Sequence, residues 1–292
     1  MRPRMPALTL GPLLAAISVA GAILAIGIPT VAPERISIRV PVLAVASESL
    51  PAVLAADERP ADPLLALAKR DPAAVMAQGE QRLRETIRDY SCVFLKQELL
   101  PSGLTPVQEI RVLYRTAPRS CFMIWQRNVG EAKRVLWIEK PEYVNEDGEP
   151  VAKVEPGGAV LRLVLSEIKL PIHGAETKKT SRRSIDEFGF KAMFELLART
   201  NARARERGIL DFRFDSEGEV DGRPTLVFRR LLPESLVGEF PDARMVMHLD
   251  REWLLPVSIY SYADHAGKKL LGSYVMTQVK LNPGLDDADF RF

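Results

Sequence analysis

The densest group of acidic side chains lies at the end of the sequence, where Asp286, Asp287 and Asp289 follow a Pro-Gly turn in "LNPGLDDADFRF". Closely spaced carboxylates could hold a calcium ion, but the familiar calcium loop also needs a central glycine and a distal bidentate glutamate. Because "DDADFRF" supplies no such glutamate, we predict no metal site here. We interpret the segment as a structural latch in which Phe290 packs back on the preceding sheet.

The histidines and cysteines show no spacing that is typical of a catalytic or metal site. His173, His248 and His265 lie far apart and share no ligand spacing with Cys92 or Cys121. The sequence contains no HExxH, CxxC, GxSxG or Walker-type glycine motif. We therefore predict a protein that is not an enzyme and needs no cofactor, although a histidine and a carboxylate from distant positions could still converge in the fold.

The composition fits a globular protein and gives no indication of nucleic-acid binding. Hydrophobic residues make up 47% of the 292 residues, which is ample for a packed core. The 40 basic residues nearly balance the 38 acidic ones, for a formal charge of +2. This balance offers no electrostatic reason to expect a nucleic-acid partner.

The N-terminus has the pattern of an export signal or a membrane anchor. Arg2 and Arg4 precede an uncharged apolar run from Leu8 to Ile28. A signal-peptide core has about 7 to 15 apolar residues and a spanning helix about 20, so residues 1–30 are predicted as a signal peptide or a transmembrane anchor. Either way the rest of the chain is expected outside the cytoplasm, in the periplasm or cell envelope, and an uncleaved segment would bind the membrane.

A disordered Pro/Ala-rich linker is predicted for residues 31–62, where four prolines interrupt every candidate element. Residues 63–292 are predicted to form the domain. A helix is expected to begin at Asp71 and Pro72, because a capping acid stands before Pro at the first helical position. Its apolar face recurs at every fourth residue, at Val75, Gly79, Leu83 and Ile87.

Four short runs rich in β-forming residues follow this helix, and turn signals separate them. They are "YSCVFLKQEL", "VQEIRVLYRT", "SCFMIWQR" and "KRVLWIEK", and they predict an antiparallel meander. Cys92 and Cys121 would then lie on its first and third strands, about 10 Å apart at a strand spacing of about 4.8 Å. Since a disulfide cannot span that distance, we expect two buried free thiols.

The second half repeats the order of helix and then strands. "SRRSIDEFGFKAMFELLARTNARARERG" reads as a helix, with Ser184 and Glu187 in capping-box spacing. Four runs of strand-forming residues are expected beyond it. A hairpin turn at Asp221 and Gly222 divides the first run into two strands, and "DHAGK" forms another hairpin turn. The absence of βαβ alternation predicts an α+β domain built on one curved antiparallel sheet.

Four arginines cluster where the second helix is expected to end, at Arg199, Arg203, Arg205 and Arg207. Cations at this position complement the helix dipole, so a solvated helix terminus accounts for them. A contact with a phosphate or a lipid headgroup is the alternative. The sequence leaves both interpretations open.

Several segments resemble the LolA-like lipoprotein-carrier superfamily. They are the closing "LNPGLDDADF", the strand pair "MHLDREWLLPVSIYSYADHAGKKL" and the earlier strand "VDGRPTLVF". Within that superfamily, "YRTAPRSCFMIW" and "SRRSIDEFGF" are similar to the Arg-x-x-Pro and Arg-x-x-Ile-x-x-x-Gly segments of the domain of unknown function 1571. The matching positions in the second segment are Arg182, Ile185 and Gly189, and the likeness spans residues 71–292.

The resemblance implies an incomplete, strongly curved β-barrel whose helices cover the concave face and leave an apolar cavity. The residues expected on that inner face are Met123, Trp125, Trp137, Met245, Met247, Val257, Ile259, Val275 and Val279. They could form an ordinary core or partly bind an acyl chain. The candidate ligand-binding residues are Met123, Trp125, Trp137, Met245, Met247 and Ile259, with Arg182 and Arg183 at the rim.

Two functions follow from this resemblance. The first is a carrier or sensor in the cell envelope that holds a lipid or the acyl chain of an acylated protein. The second is a protein-binding envelope module with a filled core and no ligand. The two differ in whether the inner face of the sheet is accessible.

Overall fold

The computed structural model describes residues 62–158 and 167–292. The predicted signal or anchor at residues 1–30 lies outside the described residues, as does the predicted linker up to residue 61. None of the described helices is long and apolar enough to cross a membrane.

The described strands form one antiparallel sheet in the order β7-β6-β5-β4-β3-β1-β12-β11-β10-β9-β8, and the short β2 pairs with β1 off this path. Among these strands, β7 and β8 are the two edges, so the sheet is open, as predicted. The strands are β1 (Asp89–Leu100), β2 (Gly103–Leu104), β3 (Gln108–Thr116), β4 (Arg119–Arg127), β5 (Ala132–Ile138), β6 (Val151–Pro156), β7 (Ile168–Pro171), β8 (Asp211–Val220), β9 (Arg223–Leu231), β10 (Arg244–Asp250), β11 (Pro256–Tyr262) and β12 (Leu270–Leu281).

Four α-helices occur in the described residues: α1 (Pro63–Arg70), α2 (Pro72–Thr86), α3 (Ala175–Thr180) and α4 (Phe190–Glu206). Helices α2 and α4 were predicted, whereas α1 and α3 were not. Helix α1 begins as α2 does, because Asp62 accepts hydrogen bonds from the backbone N–H groups of Leu64 and Leu65 at 3.0 and 3.2 Å. Helix α3 spans six residues, too few for a periodic pattern to show.

The main hydrophobic core lies between one face of the sheet, called the inner face below, and helices α1, α2 and α4. Tyr90 of β1 is 1% exposed, and its ring lies 4.6 Å from that of Phe190 at the start of α4. Phe228 of β9 and Met247 of β10 complete the centre of this core. The α+β class with helices on one face of a single open sheet is therefore confirmed.

The predicted apolar face of helix α2 closely approaches helix α4 and the turn between β10 and β11. Val75 and Leu83 are buried there, and Gly79 lies between them. A Cβ atom on Gly79 would come within 2.3 Å of the carbonyl oxygen of Leu254 and 2.9 Å of the ring of Phe194. The missing side chain is what allows this contact.

The predicted meander is confirmed, since β1, β3, β4 and β5 are consecutive neighbours. Cys92 pairs with Val112 on β3, and Cys121 of β4 pairs with Tyr114 on the same strand. One strand thus separates the two cysteines, which are free and buried.

The latch at the end of the chain also packs as predicted. Phe290 is 4% exposed in a second hydrophobic cluster, and the guanidinium carbon of Arg115 lies 4.8 Å above its ring. Arg115 also contacts a carboxylate oxygen of Asp287 at 2.8 Å, and its hydrogen bond lowers the pKa of that carboxyl. Within residues 62–158 and 167–292, no group of His, Cys, Asp or Glu is arranged to hold a metal ion.

One predicted inner-face residue points the other way. Ser258 pairs with Val275 and Ile259 pairs with Tyr274, so Tyr274 rather than Val275 shares the face of Ile259. Three steps along β12, from Thr277 to Lys280, oppose two along β1, which is a bulge that includes Gln278 at φ 50°. The bulge therefore places the side chains of Val275 and Val279 on opposite faces of the sheet. A strict alternation of faces along β12 would have placed both on the same face.

Gly79→Ala is expected to lower the free energy of unfolding by about 1–3 kcal/mol, because the new methyl group meets the backbone of Leu254 and overpacks the contact. Urea unfolding measures the change. The control is Gln78→Ala, one residue away on the exposed side of α2. Equal stability of both variants and the wild type would contradict the contact.

Both thiols are expected to resist iodoacetamide in the folded protein at about pH 9, although an ordinary thiol with a pKa of about 8.5 reacts there. Burial raises the pKa of Cys92 and of Cys121. The unfolded chain ionises both thiols first, so they favour unfolding increasingly as the pH rises above about 8.5. Mass spectrometry should show two alkylated sites in urea and none in buffer, and alkylation of the folded protein would contradict this burial.

Candidate ligand-binding cavity

A cavity of about 1300 Å³ lies between the inner face of the sheet and a segment that covers its first half. We call this covering segment, residues 172–188, the strap. It contains α3 and a single 3₁₀ turn, Ile185–Glu187. The sheet contributes the apolar side chains of Phe94, Met123, Trp125, Ala132, Val135, Ala152, Val154, Ile168, Leu170, Met245 and Ile259.

The strap is tied to the sheet by Glu98 of β1, which is 1% exposed. One oxygen of its carboxylate accepts hydrogen bonds from the Ser181 hydroxyl and the Arg182 backbone N–H, both at 3.2 Å. The other accepts the phenol of Tyr274 on β12 at 2.8 Å. The ammonium group of Lys96 lies 3.2 Å away and supplies the opposite charge. A single carboxylate therefore joins two strands and the strap.

The phenol of Tyr274 is a stable donor in this group. Burial, and after it the negative charge of Glu98, raise the pKa of Tyr274 above its ordinary value. The hydroxyl keeps its proton in neutral solution and donates a hydrogen bond to Glu98.

The end of the strap fits against aromatic rings of the sheet. Phe188 is 7% exposed and its ring lies 5.0 Å from that of Phe94, edge to face. Gly189 follows at φ 110°, and a Cβ atom there would lie 2.7 Å from the hydroxyl of Tyr90 and 3.1 Å from the ring of Tyr114. Both the backbone conformation and the close approach require glycine at this position.

A histidine and a carboxylate meet near the two ends of the strap. Nε2 of His173 lies 3.2 Å from Oδ2 of Asp186. The imidazole is about half exposed, with 55% of its side chain accessible. The pair links the beginning of the strap to its 3₁₀ turn and is thus part of the strap's own structure.

A buried ion pair lines the inner end of the cavity. Arg230 of β9 and Asp242 are both 3% exposed at their side chains, and they lie 2.9 Å apart. Arg230 also donates to the side chain of Asn201 on α4, and the other oxygen of Asp242 accepts from Ser261. The sequence analysis missed this group because its members are as many as 60 residues apart along the chain and form no motif.

The structure brings five of the eight predicted site residues to the cavity: Met123, Trp125, Met245, Ile259 and Arg183. The other three lie elsewhere. Met247 is 1% exposed within the main core. Trp137 is 4% exposed, and the guanidinium carbon of Arg119 lies 4.7 Å above the centre of its ring. Arg182 lines a smaller cleft beside the cavity.

Sequence reasoning also missed Glu98 and Tyr274. Their side chains meet across 176 positions of sequence. One feature of the sequence could have indicated them: Glu98 stands at a position of β1 whose side chain points towards the core. Charged side chains are rarely buried without partners.

Comparison with known proteins identifies one family. The model of the family described as "Protein of unknown function (DUF1571)" matches residues 87–292. The match confirms the resemblance found in the sequence. A search of curated proteins finds no match.

Several solved structures show a distant likeness. MucB has 17% identity and a TM-score of 0.43 over 75% of this chain and 63% of its own, so the chain spans less than two thirds of MucB. The Mycobacterium tuberculosis lipoprotein LppX has 14% identity and a TM-score of 0.38, over 74% of this chain and 98% of its own. A LolA superfamily protein from Nitrosomonas europaea has 10% identity and a TM-score of 0.25, over 75% of this chain and 96% of its own. With TM-scores below 0.5, these likenesses are too weak to carry a conclusion about this chain.

Glu98→Gln is expected to loosen the strap, because it removes the negative charge that compensates Lys96 and binds Ser181. Breaking a buried ionic group costs about 3–5 kcal/mol. Hydrogen exchange of the strap amides, followed by mass spectrometry, should accelerate more than that of α2. Glu109→Gln is the control, since Glu109 is 37% exposed in a loose pair with Arg127 and should change stability by less than about 1 kcal/mol. Unchanged exchange in the strap would contradict the role of Glu98.

Proposed function

Since the chain belongs to the DUF1571 family, a family of unknown function, we propose a function from the cavity itself. The protein is a non-enzymatic protein of the cell envelope that holds a lipid, or the acyl chain of a lipoprotein, beneath the strap. The N-terminal apolar run from Leu8 to Ile28 supports its export or anchoring.

The apolar floor of the cavity is the observation that carries this proposal. At about 1300 Å³ the cavity is larger than the roughly 300–1,000 Å³ of a usual small-molecule site. Trp125, Ile168, Leu170 and Ile259 remain only half-buried although they line the inner face of the sheet. An acyl chain would cover them, at a gain of about 0.8 kcal/mol for each buried methylene.

The buried polar groups of the wall do not oppose an apolar ligand. Glu98 is paired with Lys96 and Tyr274, and Arg230 with Asp242. Nε of Arg230 has no hydrogen-bond partner within the described residues, but each charge has an opposite charge beside it. An acyl chain can therefore enter without stripping water from an isolated charge. Met123 and Met245 add flexible, polarisable surface that adapts to chains of different shape.

A protein-binding module is the second candidate. Leu104 and Val107 on the β2–β3 side and Val129 after β4 are 50%, 42% and 41% exposed. Val129 lines the cavity, and so do Thr105 and Pro106, the two residues between Leu104 and Val107, so these apolar side chains lie beside the cavity. They favour a contact with a protein partner there. The cavity argues against the filled core that the sequence analysis expects for such a module.

Native mass spectrometry of the full chain, produced in a bacterial envelope and purified without acyl detergents, tests the proposal. We expect a discrete added mass that is lost on denaturation and matches a lipid, or an acylated protein. Clean protein that also fails to take up a fluorescent fatty acid would overturn the proposal and leave the protein-binding module.

Ala192→Trp is expected to reduce uptake of the fluorescent fatty acid by about tenfold or more, because the indole would occupy the cavity from α4. Ala202→Trp is the matched control, as Ala202 lies on the exposed side of the same helix. Circular dichroism verifies that both variants are folded. Equal uptake by both folded variants would show that the probe binds outside the cavity.

A further inference from the structure

A second cleft, of about 610 Å³, opens beside the cavity and is lined by four arginines. Arg182 and Arg183 come from the strap, and Arg199 and Arg203 come from α4. We call it the arginine cleft. Glu239 is the one carboxylate among its lining residues.

Much of this positive charge is uncompensated within the described residues. Glu239 is already shared, at 2.8 Å from Arg203 and 2.7 Å from Arg207. Arg183 has only a loose contact with Glu187 at 3.8 Å. Arg182 donates a long hydrogen bond of 3.4 Å to the carbonyl of Pro241.

Arg199 lies close to another positive charge on the same helix. It forms no salt bridge in the part of the chain that the structure describes, and it lies four residues before Arg203 on α4. Like charges at this spacing destabilise a helix. An anion bound between them would remove the repulsion. Arginine is suited to this role because its planar guanidinium can donate two parallel hydrogen bonds to a phosphate or carboxylate.

The arginine cleft adjoins the apolar cavity. Arg183, Leu196, Arg199 and Pro241 line both. An anion in the cleft and an apolar chain in the cavity can therefore belong to one molecule. Glu98 contributes to both sites, since it binds the backbone N–H of Arg182 and so fixes the position from which this side chain extends.

We infer that the ligand is an amphiphile with an anionic headgroup, whose phosphate or carboxylate binds in the arginine cleft while its acyl chain lies in the cavity. This inference rests on the proposed function and narrows it from any acyl chain to an acidic lipid. It also assigns Arg182, Arg183, Arg199 and Arg203 to one headgroup site.

Two amphiphiles with hydrocarbon tails of the same length distinguish the contribution of the headgroup from that of the tail. The full chain, kept in solution with digitonin, a neutral detergent without an acyl chain, is titrated with dodecyl phosphate and with monododecanoyl glycerol by displacement of the fluorescent fatty acid. We expect dodecyl phosphate to bind about tenfold more tightly or better, as for one or more charge-assisted hydrogen bonds. This advantage should shrink as salt is added, because the arginines of α4 are exposed.

Variants of the arginines locate the effect. The double variant Arg182→Gln, Arg199→Gln should bring the two affinities to within about threefold, because it lowers the affinity for dodecyl phosphate more than the affinity for monododecanoyl glycerol. Arg205→Gln is the matched control, since Arg205 lies on the same helix, is exposed and does not line the cleft. It should preserve the preference.

The remaining outcomes overturn the inference in distinguishable ways. Equal affinity of the wild type for both ligands would leave the acyl cavity intact and exclude the headgroup site. Inorganic phosphate that binds as tightly as dodecyl phosphate would show a site for a free anion instead. If neither amphiphile displaces the probe in any variant, the proposed function fails together with the inference.

Discussion

Glu98 is almost completely buried, and a buried carboxylate is costly unless its charge and both of its oxygens are compensated. Its compensating groups come from three parts of the chain: Lys96 from its own strand, Tyr274 from the neighbouring strand, and Ser181 with Arg182 from the strap. Lifting the strap would leave the charge partly unpaired, so the strap stays closed over the sheet. The cavity depends on this constraint, because the strap is its roof.

The two halves of the sheet differ in how their inner face is covered. Helices α1, α2 and α4 fill the space above the second half, where Phe228 and Met247 are buried. The first half is covered by the strap, which has one six-residue helix and a 3₁₀ turn. Beneath this thin cover the side chains of Trp125 and Ile168 are only half-buried. Within residues 62–158 and 167–292, the helices are thus unevenly distributed over one continuous sheet, and the cavity lies where the described helices are fewest.

Local patterns predicted the parts of the fold that depend on neighbouring residues. The cap at Asp71, the meander around Cys92 and Cys121 and the hairpin turn at Asp221 and Gly222 all follow from signals within a few positions. The class of the fold could be derived in this way. Of the apolar floor, four residues were expected from the family resemblance: Met123, Trp125, Met245 and Ile259. What could not be derived depends on contacts between distant residues: Glu98 with Tyr274, Arg230 with Asp242, and the bulge that turns Val275 to the opposite face. The arginines were visible in the sequence, but only the fold brings two from the strap beside two from α4.

The open edge at β8 has a consequence for the protein in a crowded compartment. A long strand paired on one side only offers unused backbone hydrogen bonds to any other extended chain, and this is how sheets join into aggregates. Along β8 the exposed positions are all charged: Arg213, Asp215, Glu217 and Glu219. A second molecule that added its own β8 here would have to bring a second row of charged side chains into register with these and reduce the hydration of both rows. The open sheet is therefore protected from polymerisation at its longer edge.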